Sequence, residues 1–313
     1  VSRDPDLAAL AAVLASPVGP SGNSGAIEPP PRPLTAAWLA NHGGALKSTV
    51  VAREEALPDV EDVGMASQCS LLRVDVLGCA GKATFIVKRA PEHGDISSTL
   101  REHHFYVQGP GKGGLLPEVK KTLRLPRCLV STWKGPDQEV KSRDSLLLVL
   151  ERLDSPQWTR VIPEEGCPAK DAGVAVEALG TMHRCYADER ELEKLKWLPR
   201  GCWGITESWW VQQMYTMAVF MARTTLADIL SESVVKAAEK IAWGGLMHIM
   251  EHLAEPPLTL VHGDFRPENL RFSADSSQVA AFDWGLAHRG RGTFDFTYFV
   301  LLSQPPEQRR TAE

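Results

Sequence analysis

The sequence predicts an α+β chain of two lobes, a small, mainly antiparallel β-rich lobe followed by a larger, mainly helical one. Three observations carry that expectation. Between Cys69 and Lys88 the chain alternates and is rich in β-branched and aromatic residues, as in paired strands. Beyond Glu151 apolar residues recur at helical spacing. Short apolar runs of strand character return only near Thr259.

The elements follow in order. At ~150 residues per domain, 313 residues suggest about two domains, long enough to bury a core without metal or disulfide staples. Leu7–Ala15 reads as a short helix, with Asp4 as its cap and Pro5 at its first position. Residues 16–33 hold six Pro, three Gly and three Ser without apolar periodicity, the composition of a disordered linker. Folded structure is expected from Leu34, where Thr35 caps a helix. Leu71–Leu77 and Thr84–Lys88 pair across a turn at Gly78–Lys82, and a helix covers Ser98–Val107. A glycine-rich loop at 109–114 leads to strands near Arg127–Trp133 and Ser145–Glu151. Helices are expected over Ala172–Tyr186, Glu207–Met221 and Val234–Leu253, and strands over Thr259–Val261, Leu270–Phe272 and Val279–Phe282. The division is therefore 1–33 as helix and linker, 34–150 as the β-rich lobe and 151–313 as the helical lobe.

Composition excludes several classes. Lys and Arg total 34 against 39 Asp and Glu, a net charge of −5, which speaks against a broad nucleic-acid surface. No apolar run reaches the ~20 residues a membrane span requires. Asp4 and Asp6 stand where a secretory signal would carry positive charge. Six cysteines without a CxxC spacing predict reduced thiols, no disulfides and a cytoplasmic setting. The sequence is silent on oligomeric state.

The strongest local signal is His262-Gly263-Asp264-Phe265-Arg266-Pro267-Glu268-Asn269, delivered by one strand and left by another, with Phe282-Asp283-Trp284-Gly285 ending a later apolar run. An Asp, an Asn five residues on and a second Asp at a strand end suit phosphoryl transfer. There Asp264 would orient an acceptor hydroxyl and accept its proton, while Asn269 and Asp283 would hold Mg²⁺ against the nucleotide phosphates. Mg²⁺ favours such hard oxygen ligands and keeps water and phosphate oxygens in its shell. Arg266 would steady charge on the γ-phosphate.

HGD-x-x-x-x-N followed by DW resembles the aminoglycoside-phosphotransferase and choline-kinase-like superfamily, and within it the ecdysteroid-kinase-like (CHK) branch. The likeness runs along most of residues 34–310. It implies a bilobal, protein-kinase-like fold and an ATP- and Mg²⁺-dependent kinase acting on a hydroxyl of a small-molecule alcohol. By this resemblance Gly64-Met65-Ala66-Ser67 would be the nucleotide loop, with Ser67 at the phosphates. Lys88 would meet the α/β-phosphates, and Glu102 would orient Lys88. Leu148–Leu153, including Glu151 and Leu153, would be the hinge whose main chain reads the adenine. Leu179-Gly180-Thr181-Met182-His183 resembles the family's LA-x-LH helix. Gly290-x-Gly292, followed by Asp295-Phe296-Thr297-Tyr298-Phe299, resembles its segment after the metal aspartate.

A protein kinase would carry HRD in place of Gly263 and a long helical region after DWG, whereas 28 residues follow Gly285. That shortness also implies a fragment or an incomplete acceptor pocket. Together with the glycine-poor loop Gly64–Ser70, it supports the alternative of a non-catalytic pseudokinase-like domain of a larger protein. Other patterns are weaker. His248-Ile249-Met250-Glu251-His252 fits H-x-x-E-H, but no further ligand motif follows, so an exposed helix face is expected. Gly43–Thr49 lacks the glycine and leading strand of a P-loop. His103-His104 is expected at the surface or hinge of the small lobe. Trp209-Trp210 with Met214, Met217 and Met221 is expected as core or pocket wall.

Overall fold

Five strands form the main antiparallel sheet of the computed structural model, in the order β1 (Thr49–Ala56), β2 (Gln68–Val76), β3 (Lys82–Arg89), β6 (Leu147–Glu151) and β5 (Cys128–Ser131). The structure describes residues 29–42, 49–56, 68–76, 81–93, 96–110, 115–133, 142–153, 156–162, 165–201, 205–226 and 228–305, with positions 13, 140 and 307. The expectations for the N-terminal helix and most of the linker, for 43–48, for the loop 64–67 with Ser67 and for 111–114 lie outside these residues. The chain divides into two compact units. One comprises Val1–Ala178, Arg266–Gly285 and Leu302–Glu313, the other Leu179–Phe265 and Leu286–Leu301.

In the first unit, α1 (Ala36–His42) starts as expected, with the Trp38 N–H donating to Thr35 Oγ1 at 3.2 Å. Strands β1 (Thr49–Ala56), β2 (Gln68–Val76) and β3 (Lys82–Arg89) run antiparallel. Beyond β3 come β5 (Cys128–Ser131) and β6 (Leu147–Glu151). One face of the sheet buries Val74, Ala83, Phe85 and Val87 against Leu34, Trp38 and Leu39. The edge strand β1 was not anticipated, because Arg53-Glu54-Glu55 hides its alternation. Glu54 is tolerated there because its carboxylate accepts from the Leu34 N–H at 2.7 Å, from Ser70 Oγ at 2.6 Å and from Arg89 at 3.0 Å. Burial pushes its carboxyl up, but the Arg89, Ser70 and Leu34 bonds outweigh that and hold it below the usual carboxylate range.

Helix α2 (Ser97–Val107) lies between β3 and β5 in sequence. A second sheet joins β4 (Leu123–Arg124), β10 (Val279–Ala281), β9 (Leu270–Ser273) and β7 (Trp158–Thr159). Helix α3 (Ala169–Tyr186) and the short α4 (Glu189–Glu193) follow.

The second unit is mainly helical, with α5 (Ile205–Thr225), α6 (Glu232–Lys240) and α7 (Leu246–Leu253), plus the two-stranded pair β8 (Thr259–Val261) and β11 (His288–Gly290). Helix α8 (Thr293–Ser303) closes the described chain. Two expectations are corrected here. The single helix over Val234–Leu253 is broken at Ile241–Gly245, where Trp243 leaves helical angles and Gly244 takes φ +101°. Only glycine reaches that conformation cheaply, and Gln212 satisfies the freed backbone groups. Its Nε2 donates to the Ala242 carbonyl at 2.8 Å, and its Oε1 accepts from the Met247 N–H at 3.3 Å. Thr216 Oγ1 also donates to the Ala242 carbonyl at 2.9 Å, so Gln212→Leu removes one of two bonds there and the partner of the Met247 N–H, and should cost about 1 kcal/mol in denaturant unfolding; an unchanged midpoint would remove Gln212 from this role. The second correction concerns α5. Of the two readings, core or pocket wall, the first is overturned: Trp209, Met214, Met217 and Met221 are all more than half exposed, so the helix presents an apolar face.

No helix among the described residues is long and apolar enough to cross a membrane. His248 and His252 of α7 stack edge to face at 4.4 Å, and His252 pairs with Glu255 at 3.0 Å. Among the described residues no group of three or more His, Cys, Asp or Glu is placed to hold a metal ion.

Candidate active site

Strand β3 alternates buried and half-buried residues up to its last turn of pleat, where Lys88 stands in register with Cys69 of β2 and Leu148 of β6. A lysine flanked on both sides by strands is deprived of water, and burial alone would lower its pKa. Two carboxylates reverse that. Lys88 Nζ donates to Glu102 Oε1 of α2 at 2.9 Å and lies 2.7 Å from Oε2. It also donates to Asp283 Oδ1 at 3.0 Å. Their charges outweigh desolvation, so the ammonium is held above its ordinary pKa. Glu102 is itself pushed up by burial and by Asp283, against the pull of Lys88.

The β9–β10 hairpin sets Asp283 against Asn269. The strands pair Leu270 with Ala281, so the residues just outside the pair, Asn269 and Phe282, face each other at its end. The Phe282 N–H donates to the Asn269 carbonyl at 3.2 Å. Asn269 closes a 3₁₀ turn opened by Pro267, with its own N–H donating to the Arg266 carbonyl at 2.9 Å. Asp283 adopts φ +65°, a left-handed conformation that costs a non-glycine residue about 1–3 kcal/mol, though Asp tolerates it better than most. Behind it, Trp284 stacks on Phe105 of α2 with ring centroids 4.2 Å apart and 9° between planes. Its Nε1–H donates to the Ala281 carbonyl at 3.2 Å.

Within the second unit, strand β8 delivers His262-Gly263-Asp264, and a buried carboxylate holds the loop by its backbone. Asp295 of α8 accepts from the His262 N–H at 2.8 Å and the Gly263 N–H at 2.9 Å. It also accepts from His183 Nε2 at 3.2 Å. Burial would raise its carboxyl, but the bond and charge of His183 and the His262 contacts prevail and keep it below the usual 3.8. The Asp264 N–H donates to His262 Nδ1 at 3.2 Å. Gly263 takes φ +87°, and a Cβ there would run into the Leu286 carbonyl. This is the physical reason the loop carries glycine between His262 and Asp264.

The structure therefore brings Lys88, Glu102 and Asp283 into direct contact and ties Asn269 to the residue before Asp283. Asp264 belongs to the second unit, five residues along the chain from Asn269. The Arg266 guanidinium lies 3.8 Å from the Glu268 carboxylate. The Glu151 carboxylate is engaged within the first unit, accepting from Arg124 at 2.5 Å and from the Arg127 N–H at 3.1 Å. Leu153 buries its side chain with Trp158 and Ala280. His103, expected at the surface, is 1% exposed. A hydrogen bond to Ser131 offsets the cost of burying its ring. Asp295 and His183 stand only inside family-like segments; Asp295 lies 33 residues from His262 and 112 from His183, separations that carry no signal from which its bonds to the loop and to His183 could be read.

A family model described as the phosphotransferase enzyme family matches residues 66–313. Among solved structures, a putative aminoglycoside phosphotransferase from Ralstonia eutropha is similar with a TM-score of 0.50, at 15% identity, over 88% of this chain and 71% of that one. A choline kinase from Cryptosporidium parvum gives 0.49 at 11% identity, over 85% of this chain and 67% of that one. An aminoglycoside phosphotransferase in complex with GDP and kanamycin gives 0.47 at 13%, over 83% and 76%. Among curated proteins, none matches. The likeness to the first of these structures is one of fold, the α+β kinase-like arrangement.

Proposed function

The chain belongs to the phosphotransferase enzyme family, and from that premise we propose that it moves the γ-phosphate of ATP, with Mg²⁺, to a hydroxyl of a small-molecule alcohol. The observation that carries this reading is the buried Lys88 ammonium held by Glu102 and Asp283, with Asn269 bonded to the residue preceding Asp283. A lysine kept charged in a desolvated place is suited to bind phosphate oxygens. Glu102, on a separate element, fixes where that charge points.

The donor set fits Mg²⁺. Asn269 and Asp283 offer an amide and a carboxylate oxygen, the hard ligands this ion takes when phosphates and water complete its shell. Bound there, Mg²⁺ would neutralise charge on the phosphates. Asp283 would then be shared between the ion and Lys88, which its left-handed backbone and the hairpin end keep in one orientation. Asp264 would orient the acceptor hydroxyl and take its proton as the new O–P bond forms. Its loop is held in part through backbone N–H groups, with Asp295 accepting from His262 and Gly263. Arg266, already near Glu268, would add positive charge toward the transferred phosphoryl group. Ser67, Glu151 and Leu153 complete the proposed nucleotide contacts, the last two through main chain.

Calorimetric titration of ATP, with and without Mg²⁺, tests this reading beside Asp283→Ala. The expected result is Mg²⁺-dependent binding that the variant loses, after which alcohol acceptors can be screened for turnover. Absence of binding to the folded chain would overturn the kinase reading and favour a non-catalytic domain. Binding without phosphoryl transfer to any alcohol would point the same way.

A further inference from the structure

Helix α2 buries a second polar residue directly beside Glu102. His103 is 1% exposed, and its Nδ1 lies 2.8 Å from Ser131 Oγ on β5. Ser131 Oγ donates its one proton to the Trp133 carbonyl at 2.9 Å. It can therefore only accept from the imidazole, which assigns the proton of His103 to Nδ1. Burial first, and the charge of Lys88 second, push this histidine down to about 3, so it stays neutral at ordinary pH. The Trp133 ring meets it edge-on, with centroids 6.4 Å apart and 85° between planes.

Successive residues on a helix project about 100° apart. Glu102 therefore faces β3, where Lys88 stands, while His103 faces β5. Two such contacts on adjacent residues bracket the helix against rotation. The helix has no capping or charge contact of its own at its start: it is 11 residues long, has no acidic residue in its first turn and no side-chain cap at Ile96, so besides the burial of Phe105 and Tyr106 these two polar contacts set its rotation. A helix of that length is marginal by itself and depends on tertiary contacts.

We propose that the His103–Ser131 bond is a positioning contact that sets the rotation of α2 and so holds Glu102 against Lys88. The inference rests on the nucleotide reading of that site for its functional consequence, but not for its structural one. His103 touches no reacting atom; it acts through Glu102.

The test uses three variants of the full chain. His103→Phe keeps the ring volume and drops the donor, His103→Asn keeps an N–H donor near the position of Nδ1, and Ser131→Ala removes the acceptor with little change in volume. Hydrogen exchange of the α2 amides, without nucleotide, is the first measurement. Protection over Ser97–Val107 should fall about ten-fold in His103→Phe and in Ser131→Ala and return in His103→Asn. Unchanged protection in a folded His103→Phe or Ser131→Ala overturns the tether, whether or not nucleotide binds. Calorimetry is the second. The Kd for Mg²⁺·ATP should rise about ten-fold in His103→Phe, but the same substitution made in a Glu102→Gln background should add almost nothing. Additive losses would mean that His103 merely supports the fold, which overturns the positioning role. If the unaltered protein binds no Mg²⁺·ATP, the nucleotide reading fails by itself and the exchange result alone decides the tether.

Discussion

Asp264→Asn should lower turnover by about 10²–10⁴ while leaving the Kd for Mg²⁺·ATP within about two-fold of the unaltered protein. The substitution keeps the size and one oxygen of the side chain and removes its capacity to take a proton. The loop around it should keep its place, because Asp295 holds it by backbone N–H groups that the substitution leaves intact. Asp295 accepts from the His262 and Gly263 N–H groups, and the Asp264 backbone N–H donates to the His262 ring, bonds that the substitution keeps. Single-turnover measurement of phosphoryl transfer with saturating ATP separates the two quantities. A variant that turns over at the original rate would remove Asp264 as the base. One that loses nucleotide affinity instead would place the residue in binding.

The parts of this architecture legible in the sequence are those whose signal is local. Strands β2 and β3 show alternation within eight or nine residues, and Thr35 stands three positions before the N–H it accepts. The HGD-x-x-x-x-N segment and DWG lie at strand ends that a short apolar run marks. What was not legible depends on distant partners. Strand β1 is charged because Glu54 is compensated by Leu34, Ser70 and Arg89, none of them its neighbours in sequence. His103 reads as a surface residue until Ser131 is brought to it. The break in the helix over Val234–Leu253 is written in Gly244-Gly245, but it is stable because Gln212 and Thr216, some thirty residues earlier, bond the freed Ala242 carbonyl. In the site, Lys88 and Glu102 were paired only by family likeness. Their contact arises from a strand and a helix whose relation no spacing within 88–102 specifies.

Lys88→Met tests whether that contact carries both stability and binding, and it should damage both in distinguishable ways. Lys88 is 8% exposed and Glu102 3% exposed, so removing the lysine leaves a carboxylate buried without its counter-charge. Breaking such a pair costs about 3–5 kcal/mol. The cost must depend on pH. Glu102 is already pushed above its ordinary 4.5 by burial and by Asp283. Without the opposing pull of Lys88 it rises further, and the folded state then holds a proton that the unfolded chain releases. Stability therefore falls as pH rises from about 4.5 through that raised value. The deficit of Lys88→Met should be small at pH 5 and largest near pH 8, measured by denaturant unfolding at both. A second substitution, Glu102→Gln, should restore most of the stability of Lys88→Met at pH 8, since the uncompensated charge is gone. It should restore none of the Mg²⁺·ATP affinity, since the positive charge that meets the phosphates is still missing. A deficit equal at the two pH values would show that the pair contributes packing and not charge. Recovered affinity in the double variant would place the phosphate contact on another residue.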